Sequence, residues 1–247
     1  MMLNITLIGY GKMGKMIASL AEQHGCKVKS IIDPHQEGCE KEIREDLLGE
    51  VCIDFTQPQS VLENIKKVAA VGKHMVVGTT GWNKYEDEVR KIVEANNIGL
   101  VFGANFSIGM NIFNRIVRYA ASLCDKFPIY DVCGWEMHHN QKADSPSGTA
   151  IQLAETIISQ SSTKETAIYD RLNRPINKSE LHFASLRGGS EPGWHNIIFD
   201  SENDTIELSH HVRSRACFAT GALKAAQWIS VHKGMYSFNQ MMEDLLC

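Results

Sequence analysis

The sequence predicts an α/β fold with a parallel, doubly wound sheet in its first half and an α+β arrangement in its second. Three observations carry this. Short β-branched runs alternate with helical patterns up to about residue 107. A glycine-rich turn joins the first such run to the first helix. Beyond residue 180 three strand-like runs follow one another with no helix between them.

Leu3–Ile8 is a short apolar run, long enough for a buried strand. It enters Gly9-Tyr10-Gly11-Lys12-Met13-Gly14, a GxGxxG, and then a helical pattern through Met13, Ile17, Leu20 and Ala21 that Gly25 stops. Val28–Ile32 is the next strand and leads into Asp33, 19 residues after Gly14. Strand, glycine turn, helix, strand and acid in this order form the Rossmann-like fingerprint for a dinucleotide. The first glycine permits the tight turn, the second lets a pyrophosphate approach, the third lets helix pack on strand, and the acid meets ribose hydroxyls. Val51–Phe55, His74–Gly78 and Gly99–Gly103 continue as strands, with helices over Gln57–Val71 and Lys84–Asn96. The loops Thr56-Gln57-Pro58, Gly78-Thr79-Thr80 and Ala104-Asn105-Phe106-Ser107 fall at the carboxyl edge of the sheet, where such folds bind ligands.

After Gly109 a helix is expected over Met110–Cys124, then a strand over Tyr130–Met137. Residues 160–180 read as polar loop, and Leu181–Leu186, His195–Asp200 and Thr205–Val212 as strands. Ala219–His232 and Phe238–Leu246 are helical again. The resulting domains are 1–107 for the dinucleotide, 108–217 for substrate and assembly, and 218–247 as helices returning to the first.

Candidate chemistry concentrates in Glu136–Ala150, EMHHNQKADSPSGTA. Ser145 reads as the N-cap and Pro146 as the first helical residue, ahead of Ile151, Ala154, Ile157 and Ile158 at helical spacing. The N–H groups around Gly148 and Thr149 would then form an anion-binding helix end. Lys142, His138 and His139 stand just upstream. A small anion with a proton-transfer group beside it is the chemistry this pattern suits. Arg187 and the glycine-rich run to His195 form a second feature, readable equally as a plain strand connection.

Composition excludes several classes. The net charge is −4, with 43% hydrophobic and 22% charged residues, so no nucleic-acid partner is indicated. Seven scattered cysteines without a CxxC pair fit reduced thiols in the cytoplasm. No signal peptide or membrane span is expected. Neither His138-His139 nor His210-His211 has the spacing of HExxH, so no metal centre is expected. Ser147 lies outside a GxSxG elbow, which argues against a serine hydrolase. Two alternatives remain: a semialdehyde or sugar dehydrogenase, the former needing a cysteine such as Cys133, and a nucleotide-sensing Rossmann protein without catalysis.

The segments GYGKMG, IDFTQP, VVGTTGW, NFSIGMN, EMHHNQKADSPSGTA, RGGSEPGWH, IEL and RACFATGA resemble the 4-hydroxy-tetrahydrodipicolinate (dihydrodipicolinate) reductase family, in family order from residue 9 to residue 222. The resemblance implies reduction of a small cyclic dicarboxylate with NADH or NADPH in diaminopimelate and lysine biosynthesis. It implies a mixed four-stranded sheet in the second domain that builds a homotetramer. It assigns His138 to proton transfer and Lys142 as the second catalytic residue, with His139, Gly148 and Thr149 on substrate carboxylate. It assigns Gly9, Tyr10, Gly11, Lys12, Met13, Gly14, Asp33, Gly78, Thr79, Thr80, Gly103, Ala104, Asn105 and Phe106 to the cofactor. The chain departs from the family in a glycine loop one residue short of GxxGxxG, in Asp33 for Glu, in Pro34 where some members have arginine, and in Ser145 for alanine.

Overall fold

The computed structural model describes residues 2–246. Its elements are β1 (Leu3–Ile8), α1 (Lys12–Leu20), β2 (Cys26–Ile32), β3 (Val51–Asp54), α2 (Pro58–Ala70), β4 (His74–Val77), α3 (Glu86–Ala95), β5 (Gly99–Phe102) and α4 (Ile108–Cys124). There follow β6 (Asp131–His138), α5 (Gly148–Ile158), β7 (Thr166–Ile168), β8 (Glu180–Arg187), β9 (Trp194–Asp200), β10 (Thr205–His211), α6 (Ala216–Ile229), β11 (Gly234–Ser237) and α7 (Phe238–Leu246). The chain forms two compact units, one running to Ile108 and resuming at Arg215, the other Gly109–Ser214.

The first unit holds a six-stranded parallel sheet in the order β11-β5-β4-β3-β1-β2. Its central strands are mostly apolar and buried from Ile5 to Ile8, Val51 to Asp54 and Met75 to Val77, as a sheet covered on both faces requires. Ile5, Leu7, Ile53 and Val101 pack with α1, α6 and α7 on one face, and Cys52, Met75, Val77 and Leu100 pack with α2 and α3 on the other. The sequence predicts five of these six strands. The sixth, β11, reads Gly-Met-Tyr-Ser between two helical patterns and lacks the β-branched apolar run that marks the other strands.

Gly25 closes the 3₁₀ turn Glu22–His24 that follows α1, in the left-handed region at φ 68°. Gly221 lets α6 lie against the loop after β5, since a Cβ there would fall 1.7 Å from the Phe106 carbonyl oxygen.

The second unit holds a mixed sheet in the order β10-β9-β6-β8-β7, with β6 parallel to β8 and antiparallel to β9. This sheet has five strands rather than the four expected. β7 adds three residues parallel to β8 inside the stretch read as loop, because polar Thr166 flanks only two apolar residues. One sheet face packs Leu181, Phe183, Ile197 and Phe199 against Phe113 and Val117 of α4 and Leu153 and Ile157 of α5. Alternation along β6 puts Gly134, Glu136 and His138 on that inner face and Cys133, Trp135 and Met137 on the other.

Among the described residues no helix is long and apolar enough to cross a membrane. The described cysteines are all free thiols. Cys247 of the sequence count lies outside the described residues.

Candidate active site

In the first unit, the glycine turn joins β1 to α1 by close backbone approach. Gly9 adopts φ 91°, and a Cβ on Gly14 would lie 2.2 Å from the Gly9 carbonyl oxygen. Gly11 starts α1 with no side-chain cap, and nothing lies within 4 Å of where its side chain would be. The helix start is thus open to a ligand phosphate. Asp33, just past β2, accepts hydrogen bonds from the Tyr10 N–H at 2.8 Å and the His35 N–H at 2.9 Å. Burial pushes its carboxyl up, but these N–H bonds and the His35 charge outweigh it and hold the pKa below the ordinary value.

A cavity of about 540 Å³ runs beside this turn, lined by Gly9, Gly11, Asp33, His35, Lys41 and Lys67 among others. An adjoining cavity of about 420 Å³ is lined by Gly11, Lys12, Met13, Thr56, Gly78, Thr79 and Thr80. The two share Gly11, Phe55 and Thr56. Asp54, fully buried at the end of β3, braces this edge: its carboxylate accepts from the Thr56 N–H at 3.0 Å, the Thr79 hydroxyl at 3.0 Å and the Asn64 amide at 2.8 Å.

The loop after β5 is mixed in character. Ala104 is exposed, and the Asn105 side chain accepts from the Ser107 N–H at 2.8 Å. Phe106 is buried against Phe55 and Phe238, so its ring belongs to the core and only its backbone is offered to a ligand. Gly103 sits half-buried over Phe238 and Phe106.

In the second unit, β6 ends on His138, which is buried, and His139 begins the following loop with its N–H on the Glu191 carbonyl at 2.8 Å. The loop after β8 is zipped alongside: Gly188 N–H donates to the His138 carbonyl at 2.9 Å and Asn140 N–H to the Gly189 carbonyl at 3.3 Å. Lys142 lies three residues beyond His139, its N–H on the His139 carbonyl at 3.1 Å. Its ammonium contacts both oxygens of Asp144 at 2.8 Å.

The helix start differs from the expectation. Ser147, not Ser145, is the N-cap: its hydroxyl accepts from the Ala150 N–H at 3.1 Å, and Gly148 is the first helical residue. Ser145 and Pro146 lie in the bend before the helix. Gly148 is exposed, with nothing within 4 Å of where a Cβ would stand, and Thr149 is half-buried beside it.

Three residues that sequence reasoning gave no defined role complete the cluster. Glu136 is fully buried, and one of its carboxylate oxygens accepts from His138 Nδ1. The other accepts from Arg187 Nη2 at 2.8 Å and the Ser147 N–H at 3.2 Å. Burial pushes this carboxyl up, but the bonds from His138 and Arg187 outweigh it and hold it at about 2. His195, opposite Glu136 on β9, is buried and stands edge-on to His138 at 5.3 Å between ring centroids. Burial, reinforced by the nearby His138, pulls its pKa down to about 3, so this imidazole is neutral. The available signal was period two along β6, which puts Glu136 on the face of His138.

Glu136, His138 and His195 each place a ligand-type atom within 4.8 Å of one another. Glu136 already carries His138 on one oxygen and the Arg187 cation on the other, and that positive charge disfavours a metal ion. The His210-His211 pair is separate: His211 bonds Glu191 at 2.9 Å, and His210 faces Phe113.

A doubly wound sheet with an open glycine turn, together with a buried histidine beside a helix start and a lysine, defines a nicotinamide-dinucleotide-dependent oxidoreductase of a small anionic substrate. Models of the N-terminal and C-terminal parts of dihydrodipicolinate reductase match residues 3–106 and 109–242. The chain belongs to the dihydrodipicolinate reductase family. It is 32% identical to the 4-hydroxy-tetrahydrodipicolinate reductase of Christiangramia forsetii, across 98% of this chain and 99% of that one. It is 34% identical to the enzyme of the same name from Archaeoglobus fulgidus, across 94% and 96%. Its fold matches that of a dipicolinate-bound dihydrodipicolinate reductase from Paenisporosarcina sp. TG-14, with a TM-score of 0.76, 22% identity and coverage of 98% and 100%.

Proposed function

We propose a residue-level account of the reaction that family membership brings to this chain. The chain is an NAD(P)H-dependent reductase of 4-hydroxy-tetrahydrodipicolinate in diaminopimelate and lysine biosynthesis. The substrate gains a hydride and a proton and loses water, giving tetrahydrodipicolinate. The reduced nicotinamide supplies the hydride when bound. Gly9 to Gly14 wrap its pyrophosphate, which meets the N–H groups of the first turn of α1, Asp33 meets the adenosine ribose, and Gly78 to Thr80 with Gly103 to Phe106 contact the remainder. Residues 108–217 bind substrate and assemble the oligomer, and 218–247 return to the dinucleotide half.

The observation that carries the second half of this account is the buried His138 beside the exposed start of α5. One substrate carboxylate lies on Gly148 and Thr149 at the positive end of the helix, with His139. Lys142 exchanges its Asp144 partner for a substrate carboxylate. His138 then gives a proton to the carbon next to the one that takes hydride. Cys133 is exposed on the opposite sheet face from His138, so it takes no part. The cytoplasm, where thiols stay reduced, is the compartment this set of free cysteines suits.

The outer face of the second sheet supports a homotetramer. Trp135 and Trp194 meet at 5.1 Å there, alongside Met137, Leu186 and Ile198, while α4 and α5 cover only the inner face. An apolar sheet face of this kind needs a cover, and a symmetric copy supplies one.

The test is a coupled assay in which aspartate semialdehyde, pyruvate and a dihydrodipicolinate synthase generate the substrate. Synthase-dependent loss of nicotinamide absorbance is expected. No such loss with either NADH or NADPH defeats the reading.

A further inference from the structure

Assigning proton transfer to His138 leaves its neighbour Glu136 without a task, although Glu136 is the more deeply buried of the two. A carboxylate does not sit at zero exposure without partners, because removal from water costs several kcal/mol. Here three donors from three elements converge on it: His138 Nδ1 from the end of β6, the Arg187 guanidinium from β8, and the Ser147 N–H at the cap of α5. An ionised carboxylate only accepts hydrogen bonds, so the shared hydrogen with His138 belongs to Nδ1. That leaves the other ring nitrogen, Nε2, as the one that gains and loses a proton. Nε2 lies against Gly193, where any side chain would come within 3.1 Å of it.

We propose that Glu136 is the positioning residue of the proton donor. Its carboxylate holds His138 with Nδ1–H bonded inward and Nε2–H turned outward, and it balances the imidazolium before the proton leaves. The transfer is a single step. The Nε2–H bond breaks, the proton joins the substrate carbon, and His138 remains as the neutral Nδ1–H tautomer on Glu136. Arg187 keeps Glu136 ionised throughout, and its second contact, Nη2 to the Asp144 carbonyl at 2.7 Å, ties the same carboxylate to the Lys142 loop. Glu136 therefore sets the histidine, the helix start and the lysine loop in one register.

Other charges face this pair. His195 on β9 is held neutral by burial, burial also lowers the pKa of His210 on β10, and Lys142 and Glu191 stand in the flanking loops. Glu191 is the second anion near His138, but its oxygens are engaged by the Gly193 N–H and by His211. Glu136 is thus the anion hydrogen-bonded to the ring.

This inference rests on the proton-transfer role proposed for His138, and its test separates the two. The kcat–pH profile of Glu136→Gln is compared with those of Glu136→Asp and wild type. Loss of an adjacent anion moves the alkaline limb of kcat down by about one pH unit or more. It also lowers kcat at least about tenfold, while KM for the substrate changes little. Glu136→Asp keeps the charge and should keep the limb near its wild-type pH. A Gln variant that is slow, yet keeps the wild-type limb, overturns the proposal and leaves Glu136 a structural role. Nitrogen-15 spectra of the imidazoles in unmutated enzyme, with His138 assigned through His138→Gln, test the geometry even if the Gln variant does not fold. Neutral His138 should carry its hydrogen on Nδ1, and the Nε2–H tautomer overturns the proposal. Full activity of His138→Gln would instead defeat the proton-transfer reading while the tautomer stands.

Discussion

The two halves of the candidate machinery are built from different materials. The dinucleotide site is made of backbone: glycines that permit close approach, an open helix start, and an aspartate that grips the Tyr10 N–H. The substrate site is made of side chains from segments far apart in sequence, with Glu136, Arg187 and His195 meeting around His138. A backbone site follows from a contiguous motif, since one turn supplies most of it. A side-chain cluster exists only once β6, β8 and β9 are in register. The two halves should therefore fail differently when altered, and that difference is testable.

The largest effect is expected at His138. His138→Gln removes the proposed proton donor and should lower kcat by about 10²- to 10⁴-fold, with dinucleotide affinity and fold unchanged. Gly14→Ala should do the opposite. Its Cβ meets the Gly9 carbonyl oxygen at 2.2 Å, so α1 must shift, weakening the dinucleotide and lowering the melting temperature together. Calorimetry with NADH beside steady-state kinetics separates them. Wild-type NADH affinity in Gly14→Ala, or wild-type kcat in His138→Gln, would erase the contrast.

Lys142→Ala comes next. A charge-assisted bond to a carboxylate is worth roughly 1.5–3 kcal/mol, so kcat/KM should fall about tenfold to a hundredfold. The fold should survive, because the ion pair lost is one with exposed Asp144. Kinetics indistinguishable from wild type would remove Lys142 from the site.

Acid stability sharpens the comparison further, because the buried titrating cluster lies on the substrate side. His195 is held at about 3 against an ordinary 6.5. The unfolded chain takes up that proton first, so stability falls as pH drops through this window. His74 and His210 are shifted in the same direction. Glu136, at about 2 against an ordinary 4.5, contributes stability above pH 4.5 that is lost as pH falls toward 2. Urea midpoints against pH should decline from near 6.5, and His195→Asn should flatten the upper part of that decline. An unchanged slope in His195→Asn would mean that this imidazole is not the one held neutral.

These contrasts also explain what could be read without coordinates. Five of six strands of the first sheet were legible, because buried parallel strands are uninterrupted apolar runs between glycine turns. β11 and β7 were not, since Gly-Met-Tyr-Ser has no β-branched apolar run and Thr-Ala-Ile is only three residues long. Within the second site His138 and Lys142 were visible by residue type and spacing, but the anchor Glu136 was not, because a lone glutamate in a strand pattern usually faces solvent. The helix cap was misplaced by two residues because Ser145-Pro146 has the composition of a helix start while Ser147 makes the bond.

The smallest effect concerns the cofactor. Asp33 is fixed by two N–H groups and stays ionised, so it accepts from ribose hydroxyls and repels a 2′-phosphate. Lys12, in the glycine turn, and His35 are basic residues close to Asp33 in the sequence. The structure adds Lys67 and Lys41 to the cavity that holds Asp33. Lys41 is brought there by the parallel bridge from Glu40 to Ile32, and its ammonium rests on the Gln36 carbonyl at 2.7 Å. Lysines are mobile, well-hydrated point charges without the fork of an arginine, so they offset the aspartate only in part. We expect NADPH to be accepted and NADH to serve at least equally well, the two differing by less than about tenfold, or 1.4 kcal/mol. Lys41→Ala and Lys12→Ala should each weaken NADPH about two- to fivefold relative to NADH, the range of an exposed charge pair, and Asp33→Ser should favour NADPH. The measurement is KM and kcat for both cofactors in the four proteins. A preference for NADPH well beyond tenfold that survives both lysine substitutions would rule out Lys41 and Lys12 as the decisive cation and leave Lys67 of the same cavity to be tested.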